Sequence, residues 1–161
     1  MKFSELWLRS FTDPSMSAAE LAHALTMAGL EVESLEPAVA PFSKVVVAEV
    51  LQVARHPNAD RLSLCQVNVG EPEPLSIVCG APNVVAGMRV PCALVGARLT
   101  SADGESFEIK RSSLRGVDSQ GMLCSAKELG IDDDHSGILP LAADAPIGRD
   151  VREVLELDDT L

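Results

Sequence analysis

The side chains best placed to do chemistry in this sequence are basic. Lys110-Arg111 and Arg115 form the densest cluster, and Arg55 and Arg61 flank a second unusual run, His56-Pro57-Asn58-Ala59-Asp60. Lys127 comes a little later. Guanidinium and ammonium groups so spaced can track a phosphate backbone, each contact releasing counterions and steepening the salt dependence of binding. The competing reading is a solvated strand face balanced by Glu105 and Glu108, since exposed ion pairs contribute little. Spacing alone leaves both open.

Other chemistries find less support. Cys65, Cys79, Cys92 and Cys124 are 14, 13 and 32 positions apart, without a close pair. His23, His56 and His135 do not supply the paired ligands that a zinc site wants. The cysteines lie in or beside apolar runs, where a reduced core thiol is the simplest reading. His56 as a general base would need a nucleophile and an orienting carboxylate, and the sequence offers neither beside it. Gly80-Ala81-Pro82-Asn83 has amides that could receive phosphate, but it lacks the lysine and the following Ser or Thr of a phosphate-binding loop. Turn chemistry accounts for Gly80, Pro82 and Asn83, and equally for Asn58 and Asp60, which can bond their own following backbone. No metal ligand set and no catalytic set is assigned.

The elements that must position the bases are mostly strands. From Lys44 onward the apolar period is near two, giving strands over 45–53, 62–69, 75–79, 88–95 and 107–114. His56-Pro57 stops the first, because proline cannot donate to a ladder. The second changes its apolar phase from Leu62 and Leu64 to Val67 and Val69, which predicts a bulge near Cys65-Gln66. In a continuous 107–115 strand, Arg111 and Arg115 would share one face with Lys110 on the other. Five short strands with Gly/Pro punctuation predict a sandwich or a small barrel, the five-stranded closed case being the oligonucleotide (OB) fold. A helical turn over 121–129 ended by Gly130, and an extended piece over 137–141, complete this region. Before it, a short helix or extended entry segment over 4–11 and a helix opened by the capping box Ser17-x-x-Glu20 and closed by Gly29 precede an alternating strand at 30–33. Leu6, Trp7, Leu8, Leu21 and Leu25 form an apolar stripe, read as core with part of it exposed.

Composition sets limits. The chain has 161 residues, 47% hydrophobic and 23% charged, as expected of a folded domain or two. Its apolar runs are too short to cross a bilayer as a helix, and its start lacks a signal-peptide core, so the cytoplasm is the expected compartment. A net charge of −11 argues against indiscriminate nucleic-acid binding, DNA included. That charge is unevenly spread: residues 41–128 carry nine bases and nine acids, whereas 129–161 carry two bases and nine acids. Aromatic platforms for stacking single-stranded bases are scarce, with only Phe42 and Phe107 in the strand-rich region and no tyrosine anywhere.

Five strings in order resemble the tRNA-binding OB-fold domain appended to several aminoacyl-tRNA synthetases. They are His56-Pro57-Asn58-Ala59-Asp60-Arg61-Leu62, Val78-Cys79-Gly80-Ala81-Pro82-Asn83-Val84, Val90-Pro91-Cys92-Ala93-Leu94-Val95-Gly96-Ala97, Leu114-Arg115-Gly116-Val117 and Ser119-Gln120-Gly121-Met122-Leu123-Cys124-Ser125. The opening Met1-Lys2-Phe3-Ser4-Glu5-Leu6-Trp7-Leu8 and the later Ala28-Gly29-Leu30-Glu31-Val32-Glu33 resemble the N-terminus of the bacterial phenylalanyl-tRNA synthetase beta subunit. The resemblance implies a mainly β chain with a small α+β part: a five-stranded OB-fold barrel at 41–149, inserted in an incomplete N-terminal α/β domain. Residues 1–40 would be the first half of that domain and 150–161 the start of the return to it. It implies a binding and assembly module, not itself catalytic, of an enzyme that joins phenylalanine to tRNA(Phe) with ATP and Mg²⁺. The implied partners are tRNA, bound weakly by this portion alone, and an alpha subunit in an α2β2 tetramer; no cofactor is implied here. Two other readings remain: a free-standing homodimeric tRNA-binding or chaperone-like protein, and an architectural module that never touches RNA.

Overall fold

The valine run at 45–47 opens the longest strand, β1 (Ser43–His56), around which the rest of its unit is built. The computed structural model describes residues 1–101 and 103–161. The chain divides into two compact units, Ala40–Leu155 and Met1–Val39 with Glu156–Leu161. In the larger unit β1 pairs antiparallel with both β2 (Ala59–Asn68) and β4 (Arg89–Thr100), and β2 pairs with β3 (Leu75–Cys79). Four short strands come next: β5 (Ser106–Glu108), β6 (Ser112–Leu114), β7 (Val117–Ser119) and β8 (Gly121–Leu123). The chain is mainly β, and its principal sheet is a strongly curled antiparallel half-barrel of the OB kind.

Alternation along the strands sends Ala48, Val50, Cys65, Val67, Ile77, Cys79, Val90, Cys92 and Leu123 into one core. Val45 and Val47 lie on the opposite face of β1 yet are also fully buried. The segment before α3 (Val151–Val154) runs along that half of β1, through Val47 N–H to Arg149 O at 2.8 Å and Gly148 N–H to Val47 O at 2.8 Å. Those bonds pair the edge of β1 that β4 leaves free; with Val45 and Val47 buried on one face and Ala48 and Val50 on the other, this half of β1 is covered on both faces, and the valine run is continuous rather than alternating for that reason. The bulge predicted at Cys65-Gln66 falls instead on the facing strand. Val50 pairs with Val67 and Gln52 with Gln66, leaving Leu51 as the extra, exposed residue. Cys65, Val67 and Val69 keep one buried phase, and the apparent switch came from Leu62 and Leu64, which half-cover the outer face.

The curl brings β3 to the end of β7 and the start of β8, where side chains replace ladder bonds. Gln120 N–H donates to Ser76 O at 2.9 Å, and Ser76 N–H donates to the Gln120 side-chain oxygen at 3.0 Å. Ser119 Oγ, buried, accepts from Val78 N–H and donates to Gly121 O. Gly121 is required by proximity: a Cβ there would lie 2.7 Å from Ala93 O across the β4–β8 pair. The fifth stave is thus 121–123 rather than 107–114, and the helical turn expected over 121–129 is confined to its second half. There Ser125 and Glu128 form a reciprocal cap, with Gly130 at φ +68° after it.

The expected 107–114 strand is broken. β5 pairs only with the far end of β4, and Ile109 then turns inward, bonded to Gly96 and Ala97. Beyond Ile109 the chain forms a separate two-stranded hairpin, β6–β7. Residues 137–141 do pack as an extended piece, Leu139 N–H to Cys124 O and Leu141 N–H to Arg89 O. Asn83 clamps that piece in both directions, donating to Ile138 O and accepting from Ile138 N–H, each at 2.9 Å. Any side chain at Gly137 would overlap the Asn83 amide.

In the smaller unit, Ser4 caps α1 (Glu5–Arg9), while Ser17 and Glu20 form the expected capping box of α2 (Ala18–Met27). Gly29 comes after α2 at φ +94°. Residues 156–161 return alongside 36–38, with Leu161 and Glu36 exchanging backbone bonds and Asp159 accepting from Leu6 N–H. No strand forms at 30–33, because that stretch meets no neighbouring backbone to pair with among the described residues. Neither helix has a buried residue; Leu6, Trp7 and Phe11 are exposed, the two rings in edge contact at 5.1 Å.

Candidate nucleic-acid interface

Two loops that are far apart in sequence meet on the larger unit. The first is the β1–β2 turn. His56 pairs with Ala59 across Pro57-Asn58, and the next matched pair is Arg55 with Ser63, so Asp60, Arg61 and Leu62 bulge out of the ladder. Proline at the first turn position has no N–H to leave unsatisfied, and the bulge lifts Arg61 away from the sheet. The second is the β6–β7 tip. Leu114 pairs with Val117 across Arg115-Gly116, with φ +52° and +84°. Two successive positive φ values make this a type I′ turn, the mirror-image geometry that matches strand twist.

His56 joins them. Its ring is 5% exposed; Nδ1 accepts from Asn58 N–H at 3.1 Å, so Nε2 carries the proton and donates to Leu114 O at 2.9 Å. Asn58 Nδ2 donates to Arg115 O at 2.9 Å. The expectation that Asn58 holds its own turn is therefore corrected: its side chain bonds across to the other loop. Asp60 is exposed, and among the described residues its carboxylate has no hydrogen-bond or ion-pair partner. Both His56 nitrogens are committed inside the fold, leaving no lone pair for proton abstraction.

Arg55, Arg61 and Arg115 are brought to these joined loops, all exposed. Arg111 immediately precedes β6, at the base of the hairpin whose tip is Arg115, about 13 Å of extended chain away. Because Arg115 occupies a turn position, the two arginines do not share a strand face as expected. Lys110 comes directly after buried Ile109 and is exposed. Lys127 sits apart, in the turn after β8, its N–H bonded to Asp134 O among Asp132, Asp133 and Asp134.

The ion pairs sort the bases into two groups. Lys2, Arg9, Arg89 and Arg149 each hold an acid within 4 Å, and Arg152 lies over the Phe42 ring at 4.8 Å. Lys44, Arg55, Arg61, Arg98, Lys110, Arg111, Arg115 and Lys127 have, among the described residues, no ion-pair partner and donate no side-chain hydrogen bond. Lys44 and Arg98 escaped the sequence reading because the register that brings Ser43 opposite Arg98 skips several residues of β4 and cannot be foreseen. Free cationic groups on a surface otherwise rich in acids are suited to an external polyanion. Among the described residues no three His, Cys, Asp or Glu are grouped as metal ligands, and Asn83 of the 80–83 turn is spent on Ile138.

A family model described as "Putative tRNA binding domain" matches residues 45–150, well over half of the chain and inclusive of both loops. The chain belongs to this tRNA-binding domain family. The phenylalanine–tRNA ligase beta subunit of Burkholderia lata is 60% identical over 163 aligned residues, covering 100% of this chain and 20% of that protein. The corresponding subunit of Aromatoleum aromaticum is 58% identical, with the same coverage. The chain thus spans about a fifth of the length of the curated relatives it matches. A MetRS related protein of Pyrococcus horikoshii superposes with a TM-score of 0.46 at 20% identity, over 65% of this chain and 84% of that one, which carries no further argument. The five sequence strings lie at strand pairings and turns of the matched region, the 78–84, 90–97 and 119–125 strings partly buried and the 56–62 and 114–117 strings largely exposed.

Proposed function

We propose that this chain is the tRNA-binding and assembly module of a phenylalanine–tRNA ligase beta subunit, and that it holds tRNA by its sugar–phosphate backbone. The observation that carries the reading is the set of exposed, unpaired bases gathered at the two joined loops of a tRNA-binding family domain. Arg55, Arg61, Lys110, Arg111 and Arg115 are the contact residues, with Lys127 a more distant contributor. Only Phe107 is an exposed aromatic among the described residues of the larger unit, so stacking of single-stranded bases contributes little. Recognition is of a folded, double-helical backbone, read by phosphate and 2′-hydroxyl contacts. The whole enzyme would join phenylalanine to tRNA with ATP and Mg²⁺ held elsewhere, alongside an alpha subunit in an α2β2 assembly. Weak contact here suffices, since tethering to a larger enzyme raises the effective concentration.

The test is the salt dependence of tRNA affinity in the intact protein. Replacing Arg111 and Arg115 together by Gln should lower the slope of log K against log salt by about 1.4–1.8, because each lost phosphate contact removes about 0.7–0.9. An unchanged slope and affinity would leave the purely architectural reading, which the net charge of −11 favours.

A further inference from the structure

Arg115 is an anomaly that the basic surface alone does not explain. The first central position of a type I′ turn favours Asn, Asp or Gly, because positive φ costs other residues about 1–2 kcal/mol. Arginine stands there at φ +52°, and its guanidinium returns nothing to the fold: no ion pair and no hydrogen bond among the described residues. Backbone strain of this kind persists only where the surroundings over-determine it. Here they do. The carbonyl on each side of the strained residue is gripped from the other loop, Leu114 O by His56 Nε2 and Arg115 O by Asn58 Nδ2, both at 2.9 Å. A Cβ at Gly116 would sit 3.7 Å from that Asn58 nitrogen, so any side chain placed there would meet the clamp.

We infer that His56 and Asn58 are positioning residues: they aim Arg115 at a phosphate on the same backbone that Arg55 and Arg61 contact, making one rigid anion-binding edge from two loops. This inference rests on the tRNA-binding reading above. An arginine on a free hairpin tip would lose backbone and rotamer freedom on binding; a tip already clamped at both carbonyls forgoes the backbone part of that cost. The ligand edge is therefore preorganised by the bonds that His56 and Asn58 make to the other loop.

The two histidine nitrogens can be tested separately in the intact protein with an unmodified tRNA transcript as probe. In His56→Gln the amide nitrogen can replace Nε2 as donor to Leu114 O; in His56→Asn the side-chain oxygen can replace Nδ1 as acceptor from Asn58, and the bond between loops is lost. Binding should survive H56Q and weaken about two- to tenfold in H56N, the effect of one net hydrogen bond. Asn58→Ala should weaken binding similarly, yet have no effect when Arg115 is already Gln, because Asn58 acts only through it. Thermal unfolding of each variant separates misfolding from misaiming. Additive effects of N58A and R115Q, or H56N binding as well as H56Q in folded protein, would overturn the positioning role. If R115Q alone leaves affinity unchanged, the contact assignment itself fails, and the clamp is structural only.

Discussion

At residue scale the strain at Arg115 yields a prediction opposite in sign for stability and for binding. Arg115→Asn places the preferred Asn-Gly pair in the β6–β7 turn and should raise stability by about 0.5–1 kcal/mol, seen as a higher denaturation midpoint, while lowering tRNA affinity. Loss of both would mean that Arg115 supports the fold after all. The four thiols give a second prediction. Burial pushes Cys65 up to about 11 and Cys92 up to about 12, from an ordinary 9.0, and raises Cys79 and Cys124 too. Thiolate is the reactive form. Iodoacetamide at pH 8 should therefore label none of them in folded protein and all four after unfolding, as counted by mass. Linkage gives the sign for stability. Folded protein keeps protons that the unfolded chain releases above about pH 9, so this contribution is intact below that pH and is lost as pH climbs through 11 and 12.

At the scale of elements, the hairpins show where strand reasoning succeeded and where it failed. The β1–β2 turn is visible in His56-Pro57 because proline chemistry is local. The break between β5 and β6 was not visible. Phe107 and Ile109 alternate as one strand would, and the sequence does not show that the pairing with β4 ends once Ile109 has bonded Gly96 and Ala97. Likewise Met122 and Leu123 look helical with Leu129, until the β4 edge offers them a ladder at Cys92 and Ala93. Short segments take the conformation of whichever neighbour can satisfy their backbone, and that neighbour is distant in sequence.

On the scale of the whole molecule, the two units differ in how much they bury. The Ala40–Leu155 unit has a continuous core, in which truncating fully buried Ile77 to Ala should cost about 2–5 kcal/mol, read from the shift of the denaturation midpoint. Helices α1 and α2 bury no residue; α1 is held by its cap and by the returning 156–161 segment, and α2 by its capping box. Opening free energy scales with buried apolar contact. In a polypeptide of this sequence, amides of α1 and α2 should exchange with solvent well before those of β1 and β2 when monitored by hydrogen-exchange mass spectrometry. Equal protection would mean that the two units unfold as one.

What the sequence determined by itself is what local chemistry can encode: the mainly β class, the capping box at Ser17 and Glu20, the proline-stopped first strand, and the concentration of bases in residues 41–128. Five ordered strings also point to the tRNA-binding family through residue identity alone. Only the tertiary structure decided how these parts meet. It made 121–123 the fifth stave, moved the bulge to Leu51, and turned Asn58 from a local turn-former into a clamp on Arg115 O. Pairings between segments so separated in sequence leave no periodic trace in a single chain. They are fixed by which polar groups must find partners once the apolar faces of the sheet have closed on one core.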